Sequence, residues 1–104
     1  MKVWLDDVRP APPGWTWVKT APAGIELLAR GDVTELSLDH DLGDDDQGTG
    51  YDVLVWMEEA CARDAWSGPA PTIHVHSANP VGRSRMLAAI EGFRRQFQAM
   101  RERA

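Results

Sequence analysis

Short apolar segments alternate with helical patterns along this chain, and that alternation restricts the fold more than any other feature. The order is β-β-α-β-α-β-α. The predicted strands are residues 2–5, 15–20, 34–41 and 72–77, and the predicted helices lie between residues 20 and 31, from 51 to 63, and from 80 onward. This alternation predicts a three-layer α/β fold, in which helices flank a mostly parallel sheet of about four strands.

The last predicted helix has a strong start signal and a continuous apolar seam. Asn79 suits the N-cap position and Pro80 suits the first turn. The apolar residues of the seam step by four, three, four and three positions: Met86, Ile90, Phe93, Phe97 and Met100. We expect the seam to dock on the sheet, and a helix–helix contact is the alternative. The chain is therefore expected to be a monomer or a homodimer through this helix.

Length and composition predict one folded domain over residues 1–104, because 43% of the residues are apolar. Cys61 is the only cysteine and lies on an apolar helix face, so we expect a buried hydrophobic residue. A lone cysteine also suits a reducing compartment. No apolar run approaches the ~18 residues of a membrane span, and the N-terminus lacks signal-peptide features. We therefore expect a cytoplasmic protein without membrane contact.

Charge is divided unevenly between the two parts of the chain. Residues 1–60 contain four basic and thirteen acidic side chains, whereas residues 61–104 contain seven arginines and three acids. An acidic part suits a cation and a basic part suits phosphate, although each is also compatible with an ordinary solvated surface.

Carboxylates follow the first and third predicted strands at the point where each strand ends. Asp6 and Asp7 follow one strand, and Asp39 and Asp41 end the other. Because parallel strands bring their carboxyl ends to one edge of the sheet, these four side chains should meet there. Neighbouring carboxylates repel unless a cation or proton lies between them, so we predict a site for Mg²⁺ or Mn²⁺. The alternative is that these acids only cap loops and helices.

Histidines supply candidate proton-transfer groups at the same edge. His74 and His76 alternate on the last strand and should share a face, and His40 lies between two aspartates. Imidazole exchanges protons near neutral pH. We therefore regard His76, His40 and His74 as candidate catalytic residues, against the alternative of structural histidines. Asp39 is a further catalytic candidate, because its carboxylate can act as a nucleophile as well as a metal ligand.

A phosphate-binding segment follows the last strand. The free N–H groups at the start of a helix attract anions, and Ser77 and Asn79 precede that start. Arg83 lies in the first turn, and Arg9 follows the first acidic pair. These four residues are candidate phosphate ligands, although the arginines also suit plain surface charge.

The positions of these groups resemble those of a response-regulator receiver domain. That resemblance implies that Asp6 and Asp7 hold Mg²⁺, that Asp39 accepts a phosphoryl group and that Ser77 orients the phosphate. The chain departs from the pattern, because it lacks the fifth strand with its essential lysine. The loop at residues 9–15 also replaces the first helix.

These departures resemble a narrower family. The segments "LDDVRPAPPGW", "LSLDHDLGDDDQGTGYDV" and "HVHSANPVGRSRM" are similar to those of the cyclic-phosphate-processing receiver-like domains of bacteria and phages. The likeness covers nearly the whole chain. It implies a small flavodoxin- or receiver-like fold without the last receiver strand, and a part in processing cyclic phosphate ends of RNA.

Two functions follow from these observations. The first is a metal-assisted phosphoesterase that acts on a nucleotide or RNA end with a terminal phosphate, possibly a 2′,3′-cyclic one. The second is a non-catalytic or signalling module that binds phosphate or accepts a phosphoryl group. Trp15 and Trp17 can stack a base, although core packing is the favoured role. Residues 43–50 are predicted to form a solvated, flexible loop that folds over a bound phosphate.

Overall fold

The computed structural model describes residues 1–43 and 47–104. It contains four strands and three helices in the predicted order. The strands are β1 (Lys2–Leu5), β2 (Thr16–Val18), β3 (Glu35–Leu38) and β4 (Thr72–Val75), and the helices are α1 (Ala21–Leu28), α2 (Gly50–Ala62) and α3 (Pro80–Arg103). Asp44, Asp45 and Asp46 lie outside the described residues, so the loop prediction for them stays a prediction.

The four strands form one parallel sheet in the order β2-β1-β3-β4. Val3 lies opposite Leu36, which lies opposite Ile73, so residues at these positions share a face of the sheet. All carboxyl ends therefore meet at one edge. The predicted α/β class with a receiver-like parallel sheet is confirmed.

One face of the sheet carries the hydrophobic core. Its strand side chains are fully or nearly fully buried: Val3, Leu5, Leu36, Leu38 and Ile73. Helix α2 contacts both α1 and α3, and apolar residues of all three helices join the same core. The helices therefore form a single layer on this face.

The opposite face differs from the expected helical third layer. It carries Trp4, Ser37 and His74, which are aligned across three strands. Trp4 contacts the ring of Trp15 and donates its indole N–H to the carbonyl of Arg9. The loop between β1 and β2 therefore covers part of this face. Among the described residues, that connection contains no helix that could do so.

Side-chain caps fix where the helices begin. Thr20 caps α1, and Asn79 caps α3 as predicted. Helix α2 begins at Gly50, one residue earlier than predicted. The cause is a reciprocal capping box, in which Thr49 accepts from the N–H of Asp52 and the Asp52 carboxylate accepts from the N–H of Thr49.

The apolar seam of α3 packs inside its own chain. Met86, Ile90 and Phe93 are buried, and Phe97 and Met100 pack against the core while partly exposed. Docking on the core is the arrangement that the structure contains. Cys61 is fully buried, and burial raises the pKa of its thiol to about 11. Among the described residues, no helix combines the length and the apolar character needed to cross a bilayer.

Candidate functional site

Three residues directly beyond the strands are held in place by the sheet itself. Backbone N–H groups of Asp6, Asp39 and His76 donate to the carbonyls of Val18, Leu5 and Leu38 on the neighbouring strands, at 3.0 to 3.1 Å. The ladder of the sheet thus continues one residue past β1, β3 and β4. As a result, the three side chains project from rigid backbone at the carboxyl edge.

These side chains form one compact cluster. Each of Asp6, Asp39 and His76 offers one potential ligand atom, and these atoms lie within 4.8 Å of one another. Asp6 is 1% exposed and Asp39 is 7% exposed. Two carboxylates removed from water and placed so close together repel each other unless hydrogen-bond donors or positive charge lie beside them, such as the Arg9 guanidinium or a bound cation.

Asp6 is held as an ionised acceptor. Its Oδ1 accepts from the backbone N–H groups of Val8 and Arg9, both at 2.8 Å, and its Oδ2 lies 3.1 Å from His76 Nε2. The Arg9 guanidinium lies 3.5 Å from the same Oδ2. Burial by itself raises the pKa of Asp6, but the hydrogen bonds from Arg9, Val8 and His76 outweigh it and lower the pKa below its ordinary value.

The His76 ring is held by stacking on one face and by a hydrogen-bond partner at each of its two nitrogens. Its ring stacks on Trp4 at a centroid distance of 3.8 Å and an interplanar angle of 4°. Nδ1 lies 2.7 Å from the hydroxyl of Ser37. Burial lowers the pKa of His76, and the charge of Arg9 adds to that effect, while the bond to Asp6 and the charges of Asp6 and Asp39 only partly oppose it. The ring is therefore neutral near pH 7.

The neutral ring has one N–H, and its neighbours assign that proton. An ionised Asp6 can only accept, so Nε2 carries the hydrogen and donates to it. Nδ1 then accepts from the Ser37 hydroxyl. In this arrangement His76 positions Asp6, and the carboxylates of Asp6 and Asp39 are the groups that could hold a cation. Two carboxylates are a donor set that Mg²⁺ and Mn²⁺ accept.

Asp7 and Asp41, the other two predicted metal ligands, lie outside this group. Asp7 is half-buried and points toward Gly43, where an added Cβ would lie 3.1 Å from its Oδ2. Asp41 is exposed, and its carboxylate contacts the ring of His40 and the side-chain amide of Asn79. The bond from His40 lowers the pKa of Asp41, aided by the bond from Asn79 and against a smaller opposing effect of burial.

His40 lies on the helix side of the edge. Its Nδ1 is 3.0 Å from the Asp41 carboxylate, and its ring packs against the backbone of Gly82 in the first turn of α3. The contact is so close that a Cβ at Gly82 would lie 2.5 Å from the ring. This arrangement orients the ring at the start of α3. Within the described residues, Nε2 of His40 makes no hydrogen bond.

His74 lies apart from the cluster. It is half-exposed on the edge strand β4, and its Nε2 is 3.3 Å from the Glu35 carboxylate. The alternation of His74 and His76 does place both on one face, as predicted. Only His76 reaches the edge, because it is the residue that follows the last paired position of β4.

The predicted phosphate ligands surround the end of β4. Ser77 is buried, and its Oγ accepts from the N–H of Asn79, whose own side chain caps α3 by accepting from Gly82. Arg83 and Arg9 donate to the carbonyls of Val75 and His76, at 2.8 and 3.2 Å. The two guanidinium groups therefore hold the strand end between them and bring positive charge to the edge.

Two residues of the site, Trp4 and Ser37, were not predicted. Ser37 interrupts an apolar strand, and a buried hydroxyl in such a segment is a signal that it has a polar partner. Because Ser37 is small, Trp4 of β1 and His76 beyond β4 meet across β3. No sequence pattern indicates that stack, since it joins residues 72 positions apart.

The family assignment agrees with this geometry. A profile of the family described as "Cyclic-phosphate processing Receiver domain" matches residues 1–92. The chain belongs to that family. The predicted resemblance is thereby confirmed, and membership in the cyclic-phosphate processing receiver domains implies a role in cyclic-phosphate processing. No curated protein and no solved structure matches the chain significantly.

Proposed function

We propose that this receiver domain is a metal-assisted phosphoesterase that opens 2′,3′-cyclic phosphate ends of nucleotides or RNA. The observation that carries the proposal is the cluster of Asp6, Asp39 and His76, which sets two buried carboxylates beside each other at the ligand-binding edge of a parallel sheet. Family membership supports a cyclic phosphate as the substrate.

Asp6 and Asp39 would hold one Mg²⁺ or Mn²⁺, which supplies Lewis acidity toward a phosphate oxygen when bound. His76 keeps Asp6 oriented, in the way that outer partners orient metal-binding carboxylates. Arg9 places a guanidinium 3.5 Å from Asp6, where it stabilises negative charge on a phosphate. Asp7 and Asp41 contribute negative charge nearby without entering the cluster.

His40 is the best-placed proton-transfer group for this reaction. Asp41 orients it through Nδ1, and that leaves Nε2 for water or for the leaving 2′ or 3′ oxygen. It lies at the first turn of α3, where the partial positive charge of the helix N-terminus favours an anion. His76 is less suited, because both of its nitrogens are already bonded.

The experiment is hydrolysis of an oligonucleotide with a 2′,3′-cyclic phosphate end, with Mg²⁺ and Mn²⁺ tested separately. Asp39→Asn should abolish metal-dependent turnover, and His40→Gln should reduce it by roughly 10²- to 10⁴-fold, the range for general acid–base groups. Asp32→Asn and His74→Gln are matched controls, since Asp32 is exposed and His74 lies away from the cluster. Equal rates for wild type and Asp39→Asn under both metals would refute the proposal.

The alternative, a module that accepts a phosphoryl group on Asp39, lacks one structural element. The chain has only two lysines, and each lies over a tryptophan ring: Lys2 over Trp15 and Lys19 over Trp17. Neither takes the part of the lysine that receivers use beside the phosphoryl group. Stable mass addition at Asp39 on treatment with acetyl phosphate would favour this alternative over the phosphoesterase.

A further inference from the structure

Trp17 is the most exposed of the five tryptophans, with 38% of its surface accessible. The sequence favoured core packing for it, but Trp17 and Trp15 both lie outside the buried core. One exposed aromatic residue is ordinary on a protein surface. Two further observations connect Trp17 with the candidate site.

The first observation is that Trp17 is bonded to the candidate site. Its indole N–H donates to the backbone carbonyl of Asp6 at 2.7 Å. This bond fixes the ring beside the residue whose carboxylate belongs to the cluster. The register pairs Trp17 with Trp4, so the indole lies on the same open face as the ring that stacks on His76.

The second observation is a cation on the ring. Lys19 Nζ lies 4.5 Å from the centroid of the Trp17 ring, and Arg9 lies at the cluster. Lys19 thus covers one face of this exposed ring. An exposed aromatic ring combined with positive charge is the arrangement with which proteins bind single-stranded nucleic acid, because a ring face stacks the base and the cations attract phosphate. Adjacent strands lie about 4.8 Å apart, which lets one nucleotide reach from Trp17 on β2 to the end of β1.

We infer that Trp17 stacks the base of the nucleotide whose terminal phosphate lies at the Asp6–Asp39 cluster, with Lys19 contributing charge beside it. This inference rests on the proposed function for the position of the phosphate, and it makes the substrate a nucleoside phosphate rather than a small phosphate ester. Any base has a stacking face, so this subsite favours the presence of a base and discriminates weakly between bases.

The experiment compares two ligands with the full chain in Mn²⁺: adenosine 2′,3′-cyclic phosphate and methyl riboside 2,3-cyclic phosphate, which lacks the base. Dissociation constants are measured by calorimetry for wild type, Trp17→Leu, Trp17→Phe and the control Trp56→Leu. Trp56 is a partly buried residue of α2, on the helix side of the sheet.

Wild type should prefer the nucleotide, and Trp17→Leu should lose roughly tenfold or more of that preference while binding the base-free ligand as before. Trp17→Phe should keep most of the preference, because it retains an aromatic face but not the N–H. That outcome separates stacking from a structural role of the hydrogen bond to Asp6. Trp56→Leu should keep the full preference.

The inference is overturned if wild type binds both ligands equally, if it binds neither, or if Trp17→Leu keeps the preference. Failure of the proposed function gives a different result, since turnover and its dependence on Asp39 are measured separately. A chain that binds the nucleotide through Trp17 without hydrolysing it would retain the inference and refute the phosphoesterase.

Discussion

Gly50, the first residue of α2, packs directly against the strand end that carries Asp39. A Cβ added at Gly50 would lie 2.2 Å from the carbonyl oxygen of Asp39 and 2.9 Å from the sulfur of Met86. The nearest of these atoms is backbone, which cannot rotate away. Gly50→Ala should therefore push α2 and the end of β3 apart.

Gly24, inside α1, is the matched control. It too is a buried helical glycine, but an added Cβ would lie 3.8 Å from Val18 and 4.0 Å from Val53, which is ordinary contact. Gly24→Ala should gain up to about 1 kcal/mol of unfolding free energy, because alanine loses less backbone entropy in a helix. The same chemical change is thus predicted to have opposite effects at two helix positions.

Overpacking against a fixed group typically destabilises a protein by about 1 to 3 kcal/mol, and Gly50 is at the upper end because the clash is with backbone. After the gain in helix propensity, we expect Gly50→Ala to lose about 2 kcal/mol of unfolding free energy. For a domain of this size that corresponds to a Tm lower by roughly 10 °C, against a rise of several degrees for Gly24→Ala.

Urea unfolding followed by tryptophan fluorescence measures both variants, since Trp66 is buried and packs on Phe93. Because the clash lies on Asp39 itself, Gly50→Ala should also weaken metal binding, whereas Gly24→Ala should not. If both variants shift the midpoint in the same direction, the packing argument is wrong. Unchanged stability of Gly50→Ala would have the same meaning.

Three further predictions concern the site and the core. If Asp6 and Asp39 hold a metal, Mg²⁺ or Mn²⁺ at 100 times its Kd should raise the unfolding free energy by about 2.7 kcal/mol, and Asp39→Asn should remove that increment in a thermal scan. Since the folded pKa of Cys61 is raised from 9.0 to about 11, its contribution to stability is complete below pH 9 and is lost as pH rises toward 11. The loss is on the order of 2 to 3 kcal/mol of unfolding free energy. It is measured as the urea midpoint between pH 9 and 11. A wild-type midpoint that does not change with pH, or that changes in the same way as the midpoint of Cys61→Ala, would contradict the prediction. In Gly82→Ala the added Cβ would lie 2.5 Å from the His40 ring. This variant should lower turnover of the cyclic phosphate more than it lowers metal affinity. A larger loss of metal affinity than of turnover would contradict the role assigned to His40.

The sequence predicted the parts of the fold that depend on local patterns. Apolar segments ending in acids located β1 and β3, and Asn79 with Pro80 located the start of α3. Those same signals brought Asp6, Asp39 and His76 to one edge, because the carboxyl ends of parallel strands must meet. For these residues, the order of strands and helices along the chain was sufficient to predict that they lie at the same edge.

The sequence could not predict which side chains at this edge contact one another, because those contacts depend on the direction in which each side chain points. Asp7 and Asp41 follow strand ends as Asp6 and Asp39 do, yet they point toward Gly43 and toward α3. The roles of Trp4 and Ser37 depend on a stack across three strands. Likewise, Trp17 is a large apolar residue of the kind that usually packs in a core, but none of the helices in the described part of the chain covers its face of the sheet, so it is exposed.

His40 and Asp6 are supported by different layers of the molecule, and this has a consequence for how the site responds to heat. Asp6 is held by the sheet, the β1–β2 loop and His76, whereas His40 packs against the first turn of α3. Helix ends open more readily than a sheet does. Fraying of that turn would release His40 while Asp6 and Asp39 stay in place, so affinity for a phosphate ligand and turnover should diverge on warming. If the chain is the proposed phosphoesterase, its rate of hydrolysis would decline first, at temperatures where the complex still forms.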